Sequence, residues 1–493
     1  MDSQSYTALY GSLVAQSTAS DLIPLLLAVS HGIAGMLRSC TRHGERTARL
    51  MKALARHQGP RELPISARSA TATLVCPKRR YTHAAPPWRP ASVLDEWVGK
   101  EARPISLRQL MVFGRSLTED RLLSSANYVR TELPARLAHR IRDMQTLPYV
   151  VVSNRHISEV YELYYQAFEN LRRIPEIKTL EENERFCKTI NQTLQEHLTV
   201  IPKLAMGILE CRDLMKPEDM DKFMNTILRA RISRRVIAEQ HLALTETYNS
   251  PWHFPDAAKN TTDSEFIGEV FLKCNAKEVV ERCGKEVQKL ARSAYGPDVM
   301  LPDIKIAGHQ DVTFPYILSH LEYIIGELLR NSIQAVVEHQ GQTPGVKPPP
   351  IEVTISEAPQ HVFIRVSDQG GGIAREILPY LWSFSKGPRS EARLQNLHHV
   401  PKMAATLQEL RDPGDPSRPI QASHHNSLSS LSSRPPNLRL GMGLPLSRIY
   451  AEYWAGTLEI QSLHGYGVDA LLQISKLGNK NEQLTTRASM DAV

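Results

Sequence analysis

The spacing of apolar residues changes once along the chain, near Thr261, and that change limits the fold more than any other feature of the 493 residues. From about Ile105 to Leu244 apolar positions recur every three and four residues, in runs such as "ANYVRTELPARLAHRIRDMQTL", "HISEVYELYYQAF" and "FMNTILRARISRRVIAEQHLAL", separated by short polar or proline-bearing joints. That spacing lays one apolar stripe on each of several successive helices, which bury their stripes against one another as a bundle. Beyond Thr261, runs of period two alternate with helical ones. "EFIGEVFLKCN", a helix from Lys277 to Ala294, "DIKIAG", "VTFPY" and a helix containing "ELLRNSIQAVVE" come first. A hairpin of "IEVTISEA" and "HVFIRVSD" around Pro359, a helix in "GLPLSRIYAEYWAG" and a closing hairpin in "TLEIQSLHGYGVDALLQISKL" follow. The expected architecture is α followed by α/β: a helical bundle at 105–260, a layered α/β domain at 265–477 and a C-terminal tail at 478–493.

Two stretches stand outside that pattern. Residues 1–92 hold twelve Lys or Arg against only Asp2, Asp21, Glu45 and Glu62, whereas the whole chain carries a net charge of +7. The basic excess therefore belongs to a leader rather than to a nucleic-acid-binding body. Within it, "MLRSCTRHGERTARLMKALARHQ" has the arginine-rich, acid-poor amphipathic character of a mitochondrial presequence, and Arg79 and Arg80 precede Tyr81 as at a matrix-processing site. The apolar run from Leu22 to Leu37 is broken by Pro24, Ser30 and His31 and falls short of a membrane span, so no integral membrane segment is expected. The second stretch, from about Phe384 to Arg439, is rich in Ser, Pro and His and includes "HHNSLSSLSSRPPN"; it reads as a long flexible lid or insertion without regular structure. Six widely spaced cysteines, with no CxxC, suit unpaired thiols in a reducing compartment. His156, His197 and His241 have no second ligand at metal spacing and are read as helix-face residues.

Three short pieces carry chemistry. In "ELLRN", Glu327 and Asn331 are four residues apart and share one helical face. In "SDQGGGI", Asp368 ends a strand and is followed by Gly370, Gly371 and Gly372, where backbone can come close to a flat ligand. In "RLGMGLPLSR", Gly441 and Gly443 open a helix whose free N–H groups and dipole suit phosphate.

The order of these pieces resembles the ATPase superfamily of DNA gyrase, Hsp90-type chaperones, histidine kinases and MutL proteins. The chain is more closely similar to the mitochondrial 2-oxo acid dehydrogenase kinases, which act on the pyruvate or the branched-chain complex. That likeness spans roughly residues 105–477 and includes "ELPARLAHRIRDMQTLPY", "VYELYYQAF" and "GLPLSRIYAEYWAGTLEIQSLHGYGVDA". The resemblance implies an α/β sandwich that binds ATP with Mg²⁺. It implies that Glu327 takes the proton of the attacking serine hydroxyl, that Asn331 is a ligand of Mg²⁺, and that Asp368 accepts from the adenine amino group. Gly370 and Gly372 would give the base room, and Gly441, Gly443 and Leu444 would cradle the phosphates. It further implies a serine kinase of the mitochondrial matrix that inactivates its complex, with the E1α subunit and a lipoyl domain of E2 as partners and a homodimer among its arrangements. The alternative is a catalytically weak ATP-binding scaffold of the same fold. Three positions depart from the family pattern: Gln334 stands where an arginine is usual, Tyr323 where pyruvate-type kinases have histidine, and Val468 where threonine approaches the adenine.

Overall fold

The computed structural model describes residues 91–249, 266–340, 347–403 and 439–476, together with Glu482 and Leu484. The leader (but for Ala91 and Ser92), the central part of the Ser- and Pro-rich segment and most of the tail lie outside these residues.

The N-terminal part consists of α1 (Ala91–Val98), α2 (Leu107–Gly114), α3 (Glu119–Gln145), the single turn α4 (Tyr149–Val152), α5 (Arg155–Arg172), α6 (Leu180–Glu196), α7 (Val200–Glu210) and α8 (Pro217–Asn249). The helices begin where the sequence supplies caps. Ser106 and Gln109 form a capping box on α2, Thr179 and Glu182 form one on α6, and Thr118 and Asn154 cap α3 and α5. Each cap satisfies backbone donors that have no partner within the helix. The apolar stripes meet in one core, in which Ile141, Val160, Tyr164, Phe168 and Met224 are fully buried. Helix α1 was not anticipated and starts at the edge of the region assigned to the leader. Its Leu94 is buried, and Trp97 packs edge-on against Phe168 at 6.1 Å. His197 and His241 are not surface residues of their helices; both lie inside the bundle, where burial lowers their pKa to about 3 and about 4.

The C-terminal part comprises β1 (Phe266–Ile267), β2 (Val270–Asn275), α9 (Ala276–Tyr295), β3 (Ile304–Gly308), β4 (Thr313–Ile317), α10 (Leu318–Gln340), β5 (Ile351–Glu357), β6 (His361–Asp368), α11 (Ser390–His398), α12 (Gly443–Tyr453), β7 (Thr457–Leu463) and β8 (Gly467–Ser475). Strands β3-β5-β6-β8-β7 make a five-stranded sheet, in which β3 and β5 are parallel and the other neighbours antiparallel. Alternate residues of β5 and β6, from Ile351 to Val366, are buried, with α10 packed on β6 and α12 on β7 and β8, giving a two-layer sandwich. A small antiparallel sheet, β1-β2-β4, is tied to the bundle by Gln240 of α8, which donates to the Ile267 carbonyl and accepts from the Glu269 N–H. The bundle and the sandwich also meet where buried Arg229 of α8 pairs with Glu452 of α12 at 2.7 Å.

Two expectations require correction. Residues 384–439 were expected to lack regular structure, yet the described part contains α11, which packs on α7 with Leu397 fully buried. Tertiary contact, not local composition, makes this segment helical. The tail from 478 was given no role, yet Glu482 returns to the bundle. Its buried carboxylate pairs with Arg136 at 2.7 Å and accepts from the Ile105 N–H and the Tyr453 hydroxyl.

Candidate active site

Helix α10 is the spine of the site. Apolar residues on one side, Leu321, Ile324, Leu328 and Val336 among them, fix it in the core, leaving Glu327 and Asn331 on the remaining face. Glu327 is half-buried, with Arg330 Nη1 3.3 Å from its Oε1. It lies directly against the start of α12: a Cβ added at Gly443 would overlap the Glu327 carboxylate. Asn331, one turn on, is solvent-exposed.

Helix α12 begins at Gly443 after Met442, and no side chain caps it. Pro445 has no N–H, so Gly443 and Leu444 are the donors of its first turn. Gly441 precedes them with φ +66°, a conformation open to glycine. Two glycines thus serve separate needs, one a left-handed turn and the other the approach of Glu327.

At the other end of the spine, Asp368 closes β6 and is 5% exposed. Its Oδ2 accepts from Ser332 Oγ at 2.9 Å and its Oδ1 from the Gly370 N–H at 3.0 Å. Burial pushes the Asp368 carboxyl above the usual carboxylate range, and the bonds from Gly370, Ser332 and Val468 partly offset this. Ser332 was not foreseen. It follows Asn331 on α10 and locks the strand end to the helix. Ser332 lies five positions after Glu327, so the two ends of the site are about 7.5 Å apart along the helix axis.

The glycines after Asp368 are packed closely against neighbouring elements. At Gly370 the space of a Cβ is filled by Ala335 and Val336 of α10, and at Gly372 (φ +71°) by Leu463 and His464 of the β7–β8 turn. Both glycines therefore allow close backbone packing that carries Asp368 to the helix. Val468 lies directly opposite Asp368 in the β6–β8 register, so that departure falls within the site. Gln334 donates to Glu338 at 2.9 Å, and Glu338 pairs with Arg439, just before the glycine turn. A cation thus reaches this region from Arg439 instead of from position 334. Tyr323 is buried in the core with its ring centroid 5.1 Å from that of Tyr450.

A neutral, exposed amide one turn from a carboxylate, an uncapped helix start and a buried carboxylate at a strand end fit a nucleotide with its metal. Among the described residues no group of three His, Cys, Asp or Glu could hold a metal ion. Mg²⁺ commonly keeps water and phosphate oxygens beside few protein ligands, so an amide such as that of Asn331 suits it.

Comparison with known proteins bears on the whole arrangement. The family model for mitochondrial branched-chain alpha-ketoacid dehydrogenase kinase matches residues 104–271, and that for histidine kinase-, DNA gyrase B- and HSP90-like ATPases matches residues 317–476. The chain is 32% identical to mitochondrial pyruvate dehydrogenase (acetyl-transferring) kinase 2 of Saccharomyces cerevisiae, over 80% of this chain and 85% of the relative. The chain belongs to the mitochondrial 2-oxo acid dehydrogenase kinase family. The Arabidopsis thaliana mitochondrial pyruvate dehydrogenase kinase is 31% identical over 80% of this chain and 97% of its own length. Isozyme 4 of Homo sapiens is 26% identical over 77% and 82%. This member of the family is thus an ATP-using protein kinase with a helical N-terminal part and an α/β ATPase domain, and its named relatives are mitochondrial. No helix among the described residues is long and apolar enough to cross a membrane.

Proposed function

We propose that this kinase transfers the γ-phosphoryl group of ATP to a serine of the E1α subunit of the pyruvate dehydrogenase complex, inactivating it in the mitochondrial matrix. The observation that carries this reading is the seating of the Glu327 carboxylate against the first turn of α12. There a general base stands beside the donors that would hold the terminal phosphates. In that role Glu327 accepts the proton of the serine hydroxyl as the oxygen attacks in line. Asn331 would hold Mg²⁺, whose charge, when the ion is bound, offsets that of the phosphates. Asp368, oriented by Ser332, would accept from the adenine amino group, and Gly441, Gly443 and Leu444 would face the phosphates. Positioning and electrostatics supply most of the catalysis in such a reaction, which suits a site with one base and few charged groups.

The pyruvate complex is favoured by the relatives at 32% and 31% identity, which are pyruvate dehydrogenase kinases. The branched-chain complex is a second reading, favoured by the match over 104–271 and by Tyr323 in place of histidine. Docking on a lipoyl domain of E2 would use a bundle cavity of about 250 Å³ whose lining mixes apolar residues such as Ile105, Leu110 and Ile237 with polar ones, Arg103, Gln109 and Gln240 among them. The apolar part of its wall suits the hydrocarbon stretch of a lipoyl arm, and the polar part its amide end. The test is incubation of the purified chain with Mg-ATP and each E1 in turn, followed by phosphosite mapping. Serine phosphorylation of pyruvate E1α is expected. Phosphorylation of only the branched-chain E1α would transfer the assignment, and nucleotide binding without transfer to either would leave a scaffold.

A further inference from the structure

The phosphate-facing turn is held from behind by one buried side chain. Arg393 of α11 is 8% exposed. Its Nε donates to the Leu440 carbonyl at 3.2 Å, and its Nη2 to the carbonyls of Gly441 at 3.4 Å and Phe384 at 2.9 Å. One guanidinium thereby ties both ends of the segment that leads into the site. Leu440 O and the Gly441 N–H belong to one trans peptide and point in opposite directions, as do Gly441 O and the Met442 N–H. Drawing two successive carbonyls onto Arg393 therefore turns two successive N–H groups away from it. The guanidinium is close enough that a Cβ at Gly441 would overlap it, so this glycine answers to Arg393 as well as to its positive φ.

Helix α11 is itself braced on the bundle. Glu391 lies 3.4 Å from Arg212, and the Met403 N–H donates to the Leu198 carbonyl at 3.0 Å. Asp221 at the start of α8 accepts from the N–H groups of Phe384 and Ser385 at 2.9 and 3.1 Å. Arg393 is thus mounted on a fixed element.

We propose that Arg393 is a positioning residue of the nucleotide site, which aims the N–H groups of Gly441 and Met442 at the phosphates by holding the carbonyls of Leu440 and Gly441. This rests on the reading that the turn from Gly441 to Leu444 receives the phosphates. Lysine at 393 has a compact ammonium without the planar fork that serves several carbonyls at once.

The test is calorimetric titration of the full chain and of R393A, R393K and G443A with Mg-ATP, Mg-ADP and adenosine. R393A should bind both phosphorylated ligands about tenfold or more weakly, as expected for loss of charge-assisted hydrogen bonds, with adenosine affinity unchanged; R393K should fall between R393A and the unaltered chain. General destabilisation would not separate nucleotide from nucleoside in this way. Unchanged ATP affinity in R393A, with G443A impaired, overturns the positioning role alone. Unchanged ATP affinity in both overturns the phosphate assignment of the turn as well. Should R393A lose adenosine binding too, R393K decides: phosphate-specific weakening supports the role, and affinity equal to that of the unaltered chain overturns it.

Discussion

Asp368 owes its aim to Ser332, and this pair gives the most direct residue-scale prediction. Asp368→Ala should cost about 1.5 to 3 kcal/mol of ATP affinity, the range for a hydrogen bond to a charged group, and should weaken ADP equally. Ser332→Ala removes only the orienting bond and should cost about 1 kcal/mol. Titration with ADP checks both, and an unchanged dissociation constant in Asp368→Ala would place the adenine elsewhere. A second prediction concerns His241. Its Nε2 lies 2.9 Å from Asn183 Oδ1 and its Nδ1 3.1 Å from Ser125 Oγ, an arrangement satisfied by a neutral ring that donates to the first and accepts from the second. Burial lowers its pKa from 6.5 to about 4. The unfolded chain takes up this proton near 6.5 and the folded chain only near 4, so the stabilisation is complete above pH 6.5. It drains as pH falls toward 4, by about 3 kcal/mol at most. His197, lowered to about 3 by burial and then by Arg234, adds a parallel slope. Melting temperatures from pH 7.5 to 4.5 should therefore fall less steeply in H241Q than in the unaltered chain, and parallel curves would contradict the assignment.

At the scale of elements, Glu482 allows a test of a segment that sequence pattern gives no reason to keep. Breaking a buried ion pair by neutralising one partner leaves the other charge uncompensated, and Glu482→Gln should destabilise the chain by about 3 kcal/mol. Urea unfolding should show a lowered midpoint, and an unchanged midpoint would mean that the contact with Arg136 contributes nothing. The long helices and the paired strands were legible because their stripes are periodic and their caps local: Ser106 with Gln109 and Thr179 with Glu182 are readable without a fold. Helices α1 and α11 were not. The run "SEARLQNLH" offers few apolar positions and sits beside Ser- and Pro-rich sequence, so its stability lies in Leu397 and Arg393 meeting other elements. At the site, Glu327, Asn331, Asp368 and the glycine turn could be picked out as short motifs. Ser332 and Arg393 could not, because their roles arise from contacts across 36 and 47 residues of chain. The packing of Gly370 against α10 was equally invisible, since it depends on the path of the strand end.

Over the whole molecule, α8 and α12 join the bundle to the site. Arg229 pairs with Glu452 near the end of α12, and Glu482 adds a second tie through Tyr453. A partner docked on the bundle would bring its bound substrate near that site and raise the local substrate concentration. Kinase activity toward E1 should increase when the intact E2 core is added and fall when the lipoyl groups are removed; equal rates on free and assembled E1 would sink docking while leaving the ATP site untouched. In the proposed mechanism α10 presents a working general base to a nucleotide held by α12 and Asp368. The most direct test is Glu327→Gln, with Mg-ATP affinity and single-turnover phosphorylation of E1 measured on the same preparation. Affinity close to that of the unaltered chain is expected, with transfer slowed by about 10² to 10⁴, the usual contribution of a positioned base; undiminished transfer would contradict the role of Glu327.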